Sequence, residues 1–295
     1  MLDQIREWAK PKTETLNNPV FVWVTDIHIN SKQALCAPEV ERNLDGEKYY
    51  PNKAQVALFD AWKDAWASVK EKAGDRHIVI GFGGEIVDID AKKRSNQYIT
   101  QSDGEENELI IEHAMVLLRP ALEMASKVII IKGTEAHVGV NGAMDEVMAR
   151  QINREFRGLV HKNSVTDEFS WHYFRGFIGG RKFDLAHHVN MGGMPRTERN
   201  AANHLAADLM MQYARWKEQF PDFAFRGHVH RVSDSSFNYP IRALIGASWQ
   251  VATPFIHRIA HGGNKPEIGL LFCDIKNKEV EYINYDYKRE EPEHL

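Results

Sequence analysis

Five short stretches of this 295-residue chain set carboxylates and imidazoles at close spacing: Asp26-Ile27-His28, Glu85-Ile86-Val87-Asp88, Glu135-Ala136-His137, His187-His188 and His228-Val229-His230. Oxygen and nitrogen donors in such pairs suit borderline divalent metals. Two such ions about 3.5–4 Å apart can clamp a phosphate and activate a water between them. That chemistry needs a carboxylate shared by both ions, further nitrogen or oxygen ligands on each, and a histidine able to protonate a departing oxygen. Each pair alone is more simply a capping acid, a solvated turn or an exposed histidine. Five of them at the ends of consecutive expected strands make that reading improbable.

The strands must bring these residues to one edge. Phe21 to Val24, His77 to Gly84 and Lys127 to Gly133 are near-continuous apolar runs, each leading into one of the pairs. Such runs read as buried strands. Side chains at i and i+2 share a face, so Asp26 and His28 meet. Helices expected over Val56–Val69 and Glu105–Ser126 separate the runs, which implies a parallel sheet with right-handed crossovers, and a third helix is expected over Ala143–Phe156. Pro120 should kink the second of these helices at the Val116 carbonyl. Ser31–Lys53 reads as a long irregular segment.

Beyond residue 160 the pattern changes. Phe169–Arg175 and Lys182–His188 flank Ile178-Gly179-Gly180, a hairpin signal. A helix follows over Thr197–Phe220, with Leu205, Leu209, Tyr213, Trp216 and Phe220 on one stripe. Short strands are expected at Phe223–His228, Ser235–Phe237, Arg242–Ile245, Gly269–Asp274 and Glu279–Tyr287. The expected fold class is α/β, with two mixed sheets stacked face to face and helices outside. One domain spans 1–295, its N-terminal helix and linker at 1–18 and a frayed tail at 289–295.

Taken in order, the pairs resemble the calcineurin-like metallophosphoesterase superfamily, whose pattern is D-x-H, G-D-x-x-D, G-N-H-D/E, a strand-end His and G-H-x-H. Here these are Asp26-Ile27-His28, Gly84-Glu85-Ile86-Val87-Asp88, Gly133-Thr134-Glu135-Ala136-His137, His187-His188 and Gly227-His228-Val229-His230. The resemblance implies four layers, α/β/β/α. It implies that Asp26, His28 and His230 hold one metal, that Glu85 bridges, and that His228 and His187, rather than His188, hold the second. Asp88 would orient the ligands or serve as an alternative ligand. Glu stands where the family has Asp at 85, and Thr134-Glu135 replaces Asn-His. Glu135 is then the expected oxygen ligand, with Thr134 as the alternative, and His137 the acid for the leaving group. The Gly-Thr-Glu-Ala-His form is similar to that of phage and prophage members.

The implied function is hydrolysis of a phosphodiester, in nucleic acid or a small nucleotide, through a dinuclear centre and a bridging hydroxide. Manganese is the first choice of metal, with iron, zinc or nickel as alternatives. A phosphomonoesterase or phosphoprotein phosphatase is the second reading, and a non-catalytic scaffold the third, kept open by the Glu85 and Thr134-Glu135 changes. Arg196 and Arg199 could grip phosphate, and Trp249 could stack a base, although ordinary packing is the simpler role for that ring. His257, Arg258 and Lys92-Lys93-Arg94 are weaker candidates.

A net charge of -4 argues against bulk electrostatic attachment to nucleic acid or anionic lipid. No apolar run reaches the roughly 20 residues of a membrane span. The mixed, charged N-terminus is not a signal peptide. Two cysteines, Cys36 and Cys273, outside any C-x-x-C arrangement suggest a reducing cytoplasm.

Overall fold

In strand Val20–Val24, successive residues face two different cores. Val20, Val22 and Val24 point into one, Phe21 and Trp23 into the other, and all five have no exposed surface. A strand buried on both faces lies inside a layered structure. The computed structural model describes residues 16–89, 97–101, 104–189, 199–254 and 266–286.

In chain order the strands are β1 (Val20–Val24), β2 (Val40–Glu41), β3 (Lys48–Tyr49), β4 (Ile78–Phe82), β5 (Ala125–Ile131), β6 (Ser170–Trp171), β7 (Tyr173–Ile178), β8 (Arg181–Ala186), β9 (Phe223–Arg226), β10 (Ser233–Asp234), β11 (Arg242–Ile245), β12 (Ile268–Asp274) and β13 (Glu279–Tyr285). The helices are α1 (Lys53–Ala73), α2 (Asn107–Met124), α3 (Ala143–Glu155) and α4 (Ala201–Trp216), with a single turn at Glu135–Val138. One sheet has the order β13-β12-β1-β4-β5-β6 and the other β10-β11-β9-β8-β7. In the first, β1, β4, β5 and β6 run parallel, and β12 lies antiparallel to both its neighbours, β1 and β13; in the second, β8, β9 and β11 run parallel.

The sheets stack through an aromatic layer. Phe21 meets Phe183 and Phe225 edge-on at 4.9 and 5.1 Å between ring centroids, the geometry aromatic quadrupoles favour. Helices α1, α2 and α3 cover the outer face of the first sheet, and α4 covers the second. The expected two stacked mixed sheets with outer helices are therefore present. Both expected hairpins, β7–β8 and β12–β13, form in register.

Some expectations need correction. The segment 31–53 carries the small hairpin β2–β3 rather than being wholly irregular. Pro120 sits within α2, which continues through it. The helix expected over 197–220 is shorter. Lys217 turns left-handed (φ 55°) and ends α4 at Trp216, which is 71% exposed rather than part of a buried stripe. The expected N-terminal helix lies largely outside the described residues. Among those described, no helix is long and apolar enough to cross a membrane.

Candidate metal centre

The site forms where β1, β4, β5, β8 and β9 end. The loops leaving β1 and β4 are joined by backbone bonds from Asp26 N to Gly84 O (3.2 Å) and from His28 N to Glu85 O (2.8 Å). Gly227 N donates to His187 O at 2.9 Å, which ties the loops after β8 and β9. Five non-glycine residues here adopt left-handed backbone: Asp26 (φ 54°), His28 (52°), Glu85 (58°), His228 (77°) and His230 (55°). Each such conformation costs on the order of 1–3 kcal/mol, and this kind of strain collects at functional sites. Gly227 is required sterically, because a Cβ there would lie 2.0 Å from Thr25 Oγ1.

Two groups of donors converge. Ligand atoms of Asp26, His28, Glu85 and His230 lie within 4.8 Å of one another, and so do those of His187, His188 and His228. Glu85 touches both groups. Its Oε2 is 2.9 Å from His28 Nε2 and its Oε1 is 3.1 Å from His187 Nε2. Asp26 Oδ1 stands 3.3 Å from His230 Nε2. The Asp26 carboxylate also accepts from Thr25 Oγ1 (2.6 Å) and from His228 N (2.9 Å). Asp88 Oδ2 pairs with Nδ1 of both His28 (3.1 Å) and His137 (3.0 Å).

Thr134, not Glu135, takes the oxygen position in the second group. Its Oγ1 is 3.3 Å from His187 Nε2, His188 Nε2 and His228 Nδ1 alike. Glu135 is exposed at the start of the single helical turn, and its Oε1 accepts from Asn141 N at 3.1 Å. That turn rotates residue 135 away from the cluster while residue 134, still extended, points in. His187 and His188 are both brought in, so the expected choice between them dissolves.

Trp249 cannot stack a base: it has no exposed surface and packs edge-on against Trp62 at 4.8 Å. Arg199 is 85% exposed and 3.5 Å from Glu267, apart from the clusters. Arg196, His257, Arg258 and Lys92-Lys93-Arg94 lie outside the described residues.

The electrostatics call for positive charge between the carboxylates. Burial works to raise the Glu85 carboxyl, but the facing His187 and His28 hold it well below the usual range. Burial would lower His28, yet Glu85 and Asp88 lift it well above the ordinary histidine value. His187 likewise rises to about 9 against its burial, through Glu85. Burial and the neighbouring His187 charge depress both His188 and His228. Against burial, bonds from His230 hold Asp26 low, and bonds from His137 and His28 hold Asp88 low.

The donors fit divalent metals. His28 Nε2 and His230 Nε2 face each other at 3.2 Å, and three imidazole nitrogens converge on one hydroxyl that has a single proton to give. A cation would satisfy both arrangements and displace the imidazole protons.

One residue of the site was not anticipated. Asp145, in the first turn of α3 and fully buried, accepts from Gly133 N (2.7 Å), Ile86 N (3.2 Å) and Glu85 N (3.3 Å). It pins the loops carrying Glu85 and Thr134 to each other, and burial pushes its carboxyl up to about 6. An acid opening a helix was its one sequence signal, and helix starts favour acids for their own reasons.

No protein-family model matches the chain, and no curated protein matches it. Solved structures do. Vps29 from Entamoeba histolytica, complexed with zinc, is 12% identical over 88% of both chains, with a TM-score of 0.38. A hypothetical protein from Pyrococcus horikoshii is 10% identical over 92% of this chain and 89% of its own, with a TM-score of 0.46. A dimetal phosphatase from Danio rerio is 10% identical over 92% of this chain and 100% of its own, with a TM-score of 0.42. These are likenesses of fold, and the chemistry rests on the residues above.

Proposed function

We propose that this chain is a metal-dependent phosphoesterase of the calcineurin-like type, acting on a phosphodiester. The observation that carries the reading is the carboxylate of Glu85, with one oxygen on His28 of the first group and the other on His187 of the second. Asp26, His28 and His230 would hold one ion, and His187, His188, His228 and Thr134 the other, with Glu85 common to both. Manganese, iron or zinc suits this oxygen and nitrogen set. When bound, the pair would supply Lewis-acid stabilisation of the phosphoryl oxygens and a water of lowered pKa.

The protein's own residues do the rest. Asp88 fixes Nδ1 of His28 and of His137, which sets both rings. His137 is then left with Nε2 to give a proton to the departing ester oxygen. Its side chain is 30% exposed beside the buried cluster, where an ester can reach it. The protein's modest negative charge favours a small substrate over long duplex DNA.

The test is hydrolysis of a chromogenic phosphodiester and the matching monoester with added manganese. The expected result is turnover abolished by a chelator, faster on the diester, and reduced about 10²–10⁴-fold in His137→Ala. Absence of turnover on either ester by folded, manganese-loaded protein would overturn the reading.

A further inference from the structure

A pocket of about 330 Å³ opens beside the second donor group, bordered by β7 and α4. This is the lower end of ligand-site volumes, about 300–1,000 Å³, and suits a single ring system with a sugar. His188 belongs to both places: its Nε2 faces Thr134 Oγ1 at 3.3 Å, and the residue lines the pocket. Arg226, directly ahead of Gly227-His228, lines it as well.

The pocket is held by a buried network. Asp184, with no exposed surface, accepts from Arg226 Nη2 at 2.6 Å, from Tyr213 Oη at 2.8 Å and from Tyr173 Oη. Trp216, 71% exposed, is the lining aromatic open to a flat ligand, whereas the Tyr173 ring carries Arg175 over it at 5.3 Å.

Charge decides what kind of flat ligand fits. Arg175 is paired with Glu218 at 2.9 Å and Arg226 with Asp184, so neither arginine is free for a second phosphate. Asp208 lines the pocket with no hydrogen-bond or ion-pair partner among the described residues, and the same holds for Gln212. An unpaired carboxylate repels a polyanion and accepts from a neutral N–H donor. Resting on the phosphoesterase reading above, we propose that this pocket takes the base of a small nucleotide whose ring carries an exocyclic amine, with the phosphate at the donor clusters.

Direct binding tests this without relying on turnover. Calorimetry with manganese present would compare CMP with UMP and AMP with IMP, pairs that differ chiefly in the amine. CMP and AMP should bind at least about tenfold more tightly, since a pocket that accepts from an amine discriminates against its absence. Trp216→Ala should weaken CMP about five- to a hundred-fold, the range for loss of one stacked base. Asp208→Asn should shrink the CMP/UMP gap to under about threefold. Both residues are exposed, and unchanged circular dichroism would confirm the fold. No CMP binding, equal affinity for CMP and UMP, or CMP affinity unaffected in both variants would overturn the proposal. The chromogenic-ester assay is independent of this one: its failure bears on the phosphoesterase reading, and the nucleotide affinities bear on the pocket.

Discussion

The backbone of Gly133 runs so close to Glu85 that a methyl group on Gly133 would lie 2.4 Å from Glu85 Cγ and 2.6 Å from Glu85 N. The end of β5 and the end of β4 can meet only if residue 133 lacks a side chain. Because one of the contacted atoms is backbone, no rotamer change relieves the clash. Gly133→Ala should therefore cost about 1–3 kcal/mol of stability, as overpacking does, and displace Glu85 from His28 and His187. Denaturant unfolding together with a manganese titration checks this. Wild-type stability and metal affinity in the variant would contradict it.

Asp145 should matter as much without touching a donor nitrogen. Replacing it with Ala leaves three backbone N–H groups, the buried ones of Glu85 and Ile86 and the part-buried one of Gly133, without this acceptor. Each orphaned donor costs about 1–3 kcal/mol, so Asp145→Ala should lose at least about 3 kcal/mol overall and weaken metal binding. Denaturant melts with and without manganese separate the two effects.

Thr134 and Glu135 make a matched pair of tests. Thr134 Oγ1 faces three imidazole nitrogens, whereas Glu135 bonds Asn141 outside the cluster. Thr134→Ala should reduce affinity for the second ion about tenfold, the scale for loss of a neighbouring ligand or its support. Glu135→Ala should leave metal stoichiometry unchanged. Metal analysis after dialysis distinguishes the two, and the reverse result would return Glu135 to the ligand set.

Away from the site, His113 sets an acid limit on stability. It is buried, its Nε2 accepts from Ala37 N at 3.0 Å, and burial lowers it from 6.5 to about 3. The folded protein keeps this ring neutral, while the unfolded chain takes up a proton below about 6.5. Its contribution is therefore complete above pH 6.5 and is lost as pH falls toward 3, by at most about 1.4 kcal/mol per pH unit. Gln at 113 can accept the same bond without titrating. Wild type should lose stability faster than His113→Gln between pH 6.5 and 4, and parallel curves would contradict this.

Much of this architecture is visible in the residue pattern. The run Phe21-Val22-Trp23-Val24 is apolar on both sides because two cores need it to be, and Asp26-Ile27-His28 follows at the strand's end. Spacing alone does not tell which of the adjacent oxygens of Thr134 and Glu135 points inward. A single helical turn beginning at Glu135 decides that, and it is too short to leave a periodic signal. Asp145 was hidden because its bonds go to the backbone of residues 12 to 60 positions away. Trp216 was misplaced because Lys217 ends α4 by turning left-handed, a conformation lysine does not advertise.

The most direct measurement of the central claim is calorimetric titration of chelator-treated protein with manganese, in wild type and in Glu85→Gln. Two equivalents in wild type, with clear loss of affinity in the variant, are predicted, because one carboxylate serves both donor groups. A single equivalent, none, or binding indifferent to Glu85→Gln would contradict a two-metal centre joined through Glu85.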